Sequence, residues 1–504
     1  MRFRSVFLLP AMLGLLAPIA GFAQSYGPSA LTPEQLLERA SAARGKLANH
    51  AYREVDRTVN GSLTSSSEML VEGDDFAETT TDGPISQTDG MWHGIAWERN
   101  PNGIVVRRTG YAEDPFRKAL EAPSAATSGA RVLGTTADAT PAIVLEVKPQ
   151  DALVQRRYYD AQTYLLRRVE TTSYDGRTHV REYEDYRAFE GRLIPRTERY
   201  HDGRPENDST TQVVSIETIR EDTAASLAIP ATTTPFTFSS GAPVEIPATF
   251  TDDGIVVRLD VNGRGLDFLL DSGASGIAID SATAQNLGLA LYGHNIMTIG
   301  GDFTFSTTRI PEVSVGALRA RNLAVTVLPF TDPVGGMKVV GLLGGDFFAS
   351  GIVTIDFHNQ SLKIAPALPS VPEGFSKVPI SVDDYVPMLH AAFNGKTGLF
   401  VADLGAGRTV LYPHYFAQFK APDEPSDDSG LSFIGGETKT HSYRLSNLDL
   451  GDYAVGQVLV SVPSNRKVED ETFDGLLGRD ILSYFTLIFD YPNATMYLKP
   501  FAAK

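Results

Sequence analysis

Two short stretches of this sequence each place an aspartate directly after a run of apolar residues. The first is Leu269-Leu270-Asp271-Ser272-Gly273-Ala274-Ser275, and the second is Phe400-Val401-Ala402-Asp403-Leu404-Gly405-Ala406-Gly407. The pattern predicts a buried strand that delivers a carboxylate onto a tight turn, where glycine lets the backbone approach closely. Two carboxylates brought together can do general acid–base chemistry, because one can hold a proton while the other is ionised.

Both stretches belong to a longer internal repeat. An Asn-Gly pair, typical of a tight β-hairpin, lies nine residues before each aspartate, at Asn262 and Asn394. The other matched features are Ile299-Gly300-Gly301 with Ile434-Gly435-Gly436, Val327-Leu328-Pro329 with Val462-Pro463, Gly341-Leu342-Leu343-Gly344 with Gly475-Leu476-Leu477-Gly478, and Ile355-Asp356-Phe357 with Phe489-Asp490-Tyr491. The two copies are about 132 to 135 residues apart. This period is too long for a solenoid and predicts two duplicated, mostly β lobes.

On these motifs, each copy resembles a lobe of the retropepsin-like aspartic proteases. The resemblance covers about residues 255–498 and implies a mainly β fold, in which two tandem β-barrel lobes pair within one chain as a pseudo-dimer. It implies a peptide or protein substrate, no cofactor and a monomer. Asp271 and Asp403 would be catalytic, activating a water molecule. The resemblance also implies loop support from Ser272, Gly273 and Gly405, and substrate-covering flaps at Ile299, Gly300, Gly301, Ile434, Gly435 and Gly436.

One position departs from the family pattern. A serine or threonine follows the aspartate in that family, and its hydroxyl ties the two catalytic loops together; Ser272 fits, whereas Leu404 has no hydroxyl. Ser272 could still donate to the opposite backbone. Two functions stay open: an active aspartic endopeptidase, or a non-catalytic envelope protein that binds a peptide or another ligand.

Four further aspartates and one arginine in the repeat are expected to have structural rather than catalytic roles. Asp346 and Asp480 are expected to fix the turn into a short helix, and Asp356 and Asp490 to cap strand ends or lie in solvent. Arg479 is expected to pair with a nearby carboxylate. The nine histidines show no metal-ligand spacing, so no metal site is expected.

The N-terminal part is expected to form a β-rich domain with one helix. Thr32, Pro33 and Gln35 predict a capped helix from Leu31 to about residue 47. The residues after it alternate between apolar and charged, which indicates sheets with one wet face. This part weakly resembles the LolA-like half-barrel domains of envelope proteins, through Tyr158-Tyr159-Asp160, Leu165-Leu166-Arg167, Asp175-Gly176, Tyr183-Glu184-Asp185-Tyr186 and Gly191-Arg192-Leu193-Ile194-Pro195. Its role stays open between substrate recruitment, a removable pro-segment and a structural accessory.

The predicted boundaries are a signal peptide at 1–23, the N-terminal domain at 24–228, a Pro/Thr-rich linker at 229–249, and lobes at 250–368 and 369–504. Arg2 and Arg4, an apolar run and Gly21-Phe22-Ala23 indicate export to the periplasm or beyond, with no membrane span after signal removal. The prolines of the linker disfavour both helix and sheet.

The composition argues against several classes of function. The net charge is -17, which argues against a nucleic-acid partner because no basic footprint exists. The absence of cysteine excludes thiol catalysis and disulfides.

Overall fold

The computed structural model describes residues 26–48, 51–61, 63–108, 129–148, 153–173, 176–220, 223–298, 302–330, 333–368, 370–383, 385–419, 428–433, 436–464 and 472–501. These residues are mostly in β-strands. Their α-helices are α1 (Pro33–Arg44), α2 (Ala224–Leu227), α3 (Ser281–Asn286), α4 (Gly345–Phe348), α5 (Pro413–Phe416) and α6 (Arg479–Leu482). None of the helices in this part of the chain is long and apolar enough to cross a bilayer. The predicted signal peptide lies outside the described residues.

The N-terminal part forms one antiparallel sheet with a helix, as predicted. Its strands are β1 (Ala51–Asn60), β2 (Leu63–Glu72), β3 (Asp75–Asp82), β4 (Ile85–Trp92), β5 (Ile95–Arg99), β6 (Val105–Arg107), β7 (Arg131–Thr135), β8 (Ala142–Val147), β9 (Gln155–Asp160), β10 (Leu166–Thr172), β11 (Thr178–Phe189), β12 (Arg192–His201) and β13 (Ser209–Thr218). The sheet order is β6-β5-β4-β3-β2-β1-β13-β12-β11-β10-β9-β8-β7. Helix α1 begins with the predicted capping box, in which the Thr32 hydroxyl accepts from the N–H of Gln35 at 3.3 Å.

The segment 229–249 differs from the expected linker. It contains β14 (Phe236–Thr237), β15 (Val244–Ile246) and the start of β16 (Ala248–Thr251). The first of these strands joins the sheet of the first lobe, and the second joins the sheet between the lobes. The prolines lie between these short strands rather than within them, so they leave the strands' backbone N–H groups free to pair.

The two lobes share a central strand order. The first contains β17 (Gly254–Val261), β18 (Arg264–Leu270), β19 (Ile277–Asp280), β20 (Tyr292–Thr298), β21 (Asp302–Val315), β22 (Leu318–Leu328) and β23 (Gly341–Leu343). The second contains β27 (Met388–Phe393), β28 (Lys396–Ala402), β29 (Val410–Leu411), β30 (Asp428–Phe433), β31 (Gly436–Leu445), β32 (Leu448–Leu450), β33 (Tyr453–Val455), β34 (Val458–Pro463) and β35 (Gly475–Leu477). The shared order is β22-β19-β23-β18-β17 in the first lobe and β34-β29-β35-β28-β27 in the second. In each lobe the carboxylate strand pairs in parallel with the Gly-Leu-Leu strand, β18 with β23 and β28 with β35. The internal repeat is therefore confirmed.

A third sheet joins the lobes. It contains β24 (Ile352–Asp356), β25 (Ser361–Ala365), β26 (Ser376–Pro379), β36 (Phe485–Asp490) and β37 (Thr495–Pro500), in the order β15-β25-β24-β36-β37-β26. Its centre is the antiparallel pair β24–β36, whose inward side chains are fully buried. Burial of apolar side chains from both lobes at this seam holds the two lobes together within one chain.

Candidate active site

Asp271 and Asp403 occupy equivalent places in the two lobes. Asp271 follows β18 directly, and its N–H donates to the carbonyl of Leu343 in β23 at 3.1 Å. Asp403 follows β28, and its N–H donates to the carbonyl of Leu477 in β35 at 2.9 Å. Both strands end in an apolar run that is buried on both faces, as expected for a central strand with a parallel neighbour. The buried strands thus fix where each carboxylate leaves the sheet.

The two carboxyl groups meet at the boundary between the lobes, within hydrogen-bonding reach of each other. Each lies against the glycine of the opposite loop. A Cβ on Gly273 would be 2.6 Å from Cγ of Asp403, and one on Gly405 would be 2.5 Å from Oδ1 of Asp271. Only glycine leaves room for this approach.

Backbone amides orient each carboxyl group. The N–H of Gly273 donates to Oδ1 of Asp271 at 2.9 Å. The N–H groups of Gly405 and Ala406 donate to Oδ1 of Asp403 at 2.8 and 3.0 Å. Both aspartates remain half-buried, so their outer oxygens can be reached by a small molecule such as water.

Burial and proximity raise the pKa values of this pair. Burial raises the pKa of Asp271 well above its ordinary value of 3.8, and the charge of Asp403 raises it further. Burial also raises the pKa of Asp403, although the N–H of Ala406 and the carboxyl of Asp271 oppose this. Two neighbouring carboxylates cannot both ionise cheaply, so the pair can share one proton in mildly acidic solution.

Of the two residues that directly follow the aspartates, Ser272 and Leu404, only Ser272 connects the two catalytic loops through its side chain. Its hydroxyl donates to the carbonyl of Ala402 at 2.6 Å and accepts from the N–H of Leu404 at 2.9 Å. The sequence predicted the first bond but not the second. Leu404 is fully buried in the apolar core of the two lobes, so its side chain contributes packing where the other loop has a hydroxyl.

Arg479 stabilises the second catalytic loop through backbone carbonyls. Its guanidinium donates to the carbonyls of Leu404 at 2.6 Å and Gly405 at 3.1 Å, and to that of Asp252 at 3.3 Å. The guanidinium therefore donates to backbone carbonyls rather than to the expected carboxylate, although the charge of Asp403 acts on it. The loop turns its carbonyls, not a side chain, towards this position. Burial lowers the pKa of Arg479.

The remaining predicted residues separate into two groups. Asp346 and Asp480 lie in α4 and α6 and are bonded to neighbouring loops, while Asp356 and Asp490 accept from the turns that follow them. The predicted flap residues Ile299, Gly300, Gly301, Ile434 and Gly435 lie outside the described residues, and Gly436 is the first residue of β31.

Sequence reasoning missed two asparagines of the N-terminal domain. Asn100 and Asn102 lie between β5 and β6, and their side chains donate to the carboxylate of Asp346, at 2.8 and 2.9 Å. They belong to no motif, so no signal in the sequence marks them. Within the described part of the chain, no group of three or more histidine, aspartate or glutamate side chains could hold a metal ion.

Comparison with known proteins agrees with the repeat. The chain matches the aspartyl protease family model over residues 257–347 and again over residues 389–481. It is similar to an aspartic proteinase from Irpex lacteus, with 14% identity, a TM-score of 0.36, and coverage of 52% of this chain and 98% of that one. It is also similar to a LolA superfamily protein from Nitrosomonas europaea, with 16% identity, a TM-score of 0.30, and coverage of 40% of this chain and 98% of that one. The comparison with curated proteins gave no match. Both copies of the internal repeat, one around Asp271 and one around Asp403, thus match the aspartyl protease family.

Proposed function

We propose that this chain is an exported aspartic endopeptidase that hydrolyses peptide bonds with a water molecule activated by Asp271 and Asp403. The observation that carries the proposal is the meeting of two carboxyl groups, each oriented by loop amides and each with a raised pKa. Export to the periplasm or beyond rests on the N-terminal sequence alone.

The geometry supports a one-proton mechanism without a covalent intermediate. The ionised carboxylate takes a proton from water, and the water oxygen attacks the carbonyl carbon of the peptide bond. The protonated carboxyl group donates its proton to the carbonyl oxygen, which gives a tetrahedral gem-diol intermediate. The carboxyl group that took the water proton then passes it to the nitrogen, the C–N bond breaks, and the other carboxylate takes a proton from the gem-diol, so that the pair again shares one proton. Since the pair titrates as a unit, neither aspartate is assigned as the base. The hairpins β20–β21 and β30–β31 are the candidates to cover the substrate, as the resemblance to the retropepsin-like aspartic proteases implies.

Leu404 favours the second candidate function, a binding protein that does not cleave. One loop has lost the hydroxyl that would bond back across the lobes. Against this, Ser272 makes two bonds to the opposite loop and Leu404 is well packed. The site therefore keeps a cross-lobe connection, and we favour the active enzyme.

The test is cleavage of an unfolded protein substrate between about pH 3 and pH 7 by the wild type, Asp271→Asn and Asp403→Asn. Asp356→Asn is the matched control, because it removes a carboxylate of the repeat that only caps its own turn. Loss of cleavage in the two dyad variants, with the control active, supports the proposal. A folded wild type that cleaves at no pH, yet binds peptide, identifies the chain as a binding protein.

A further inference from the structure

The second lobe supports its catalytic loop with a threonine. Thr409 donates to the carboxylate of Asp480 twice, from its N–H at 3.0 Å and from its hydroxyl at 2.8 Å. The same helix is bonded to the loop, because the N–H of Arg479 donates to the carbonyl of Ala406 at 2.9 Å. This cluster connects α6 to the loop that carries Asp403.

The first lobe lacks that hydroxyl. Asp346 is the counterpart of Asp480, since each lies five residues after the start of its Gly-Leu-Leu-Gly motif, and Ile277 is the counterpart of Thr409, six residues after the catalytic aspartate. The N–H of Ile277 still donates to Oδ2 of Asp346 at 3.3 Å. Isoleucine has no hydroxyl, however, and Asp346 is only 3% exposed, so water does not easily replace the missing donor.

The N-terminal domain supplies the missing donors. Nδ2 of Asn100 donates to Oδ1 of Asp346 at 2.8 Å, and Nδ2 of Asn102 donates to Oδ2 at 2.9 Å. Asn102 also pairs with the backbone of Ala324 in both directions, accepting at 2.8 Å and donating at 2.9 Å. Two side chains from another domain therefore take the place of one hydroxyl.

The turn that carries these asparagines is built into the lobe. Ile104 and Val106 are 2% and 5% exposed and belong to the same apolar core as the lobe residues. On the other side, the N–H of Thr233 donates to the carbonyl of Gly103 at 2.9 Å. The turn is thus buried between the lobe and the segment that leads into it.

We propose that Asn100 and Asn102 are positioning residues for the first catalytic loop, and that the N-terminal domain is a permanent part of the catalytic unit. A removable pro-segment would have to withdraw two core side chains and leave the buried Asp346 without its two side-chain donors. The activity readout below rests on the proposed peptidase function, whereas the association and stability readouts do not.

The first experiment cuts the chain once, between the N-terminal domain and the lobes, and removes neither fragment. Residues 239–243 are exposed, so a recognition site for a specific protease can be placed there. After cutting, the two fragments are passed through gel filtration under native conditions. Co-elution as one folded particle supports the proposal, and separation into two folded fragments overturns it.

The second experiment introduces the hydroxyl of the second lobe into the first lobe as a rescue. Asn100→Ala with Asn102→Ala is expected to lower Tm by roughly 5 °C and kcat about tenfold, with KM changed less than about twofold. Adding Ile277→Thr supplies the hydroxyl that the second lobe has, and should recover about half of each loss. Asn359→Ala is the matched control, because it removes an Asn-to-Asp bond at an exposed turn.

Wild-type Tm and kcat in the double variant overturn the proposal, as does a triple variant no better than the double one. If the double variant does not fold, Asn100→Ala alone is measured, since it keeps the pairing of Asn102 with Ala324. If the wild type proves inactive, the proposed function fails, while Tm, its rescue and the association test still decide this proposal.

Discussion

Replacing Ser272 by alanine should weaken the connection between the catalytic loops more than an ordinary loss of a buried hydroxyl. The hydroxyl of Ser272 is fully buried and serves two groups of the opposite loop, the carbonyl of Ala402 and the N–H of Leu404. Leaving a buried donor or acceptor unpaired costs about 1–3 kcal/mol, so the two together should lower the free energy of unfolding by about 2–6 kcal/mol. Because Leu404 has no hydroxyl, the second loop cannot compensate.

Urea denaturation and peptide cleavage measure the two consequences separately. The sheet between the lobes does not involve Ser272, so Ser272→Ala should keep the lobes paired while kcat falls at least tenfold. Ser381→Ala is the matched control, because Ser381 is equally buried but its hydroxyl accepts from Asp383 within one loop. The control should lose only about 1 kcal/mol. Equal losses in the two variants, or unchanged stability and kcat in Ser272→Ala, would refute the reasoning.

Three other predictions concern the site and its surroundings. Gly405→Ala should reduce kcat/KM by about 10²-fold, because its Cβ would displace the opposite carboxyl group, whereas Gly407→Ala should be nearly neutral in the same assay. Burial raises the pKa of Asp346 from 3.8 to about 6, so the folded state holds this proton more tightly than the unfolded state, and stability should fall by about 2 kcal/mol as pH rises from 4 to 6. Denaturation at several pH values should show a flatter slope for Asp346→Asn; an unchanged slope would contradict the assignment. Asn207 accepts from the N–H of Ile296 in β20 at 3.2 Å and donates to its carbonyl at 3.3 Å, so Asn207→Ala should speed hydrogen exchange of the Ile296 amide about tenfold, and unaltered exchange would exclude this anchor.

The parts of this structure that the sequence predicts are those fixed by local chemistry. Each Asn-Gly pair forms the expected two-residue hairpin, with φ of 51° and 80° at Asn262 and Gly263 and of 47° and 75° at Asn394 and Gly395. Positive φ at both central residues is what the type I′ turn requires, and few residues other than these tolerate it. The capped helix at Thr32 is predictable for the same reason: its bonds are made between residues three apart.

What the sequence does not predict depends on residues far apart in the chain. Asn100 and Asp346 are 246 positions apart, and nothing in the turn after β5 marks its asparagines as partners of a buried carboxylate. Likewise, the short strands β14 and β15 contain strand-favouring residues such as Phe236, Val244 and Ile246, but these lie among prolines, and each strand forms by pairing with a strand of a later sheet. Local propensity is a weak guide where a neighbouring edge supplies the hydrogen bonds.

The internal repeat nevertheless shows where one lobe lacks a hydrogen bond that another part of the chain supplies. The two copies place equivalent residues in equivalent positions, and two of the positions where they differ have a hydroxyl bond in one copy only. At the catalytic turn, Leu404 lacks the hydroxyl of Ser272, and the one serine makes both bonds itself. Behind the first catalytic loop, Ile277 lacks the hydroxyl of its counterpart, and the N-terminal domain fills the gap. A duplicated lobe can therefore lose its own support once another part of the chain provides it, and from then on neither part can be removed without disturbing the site.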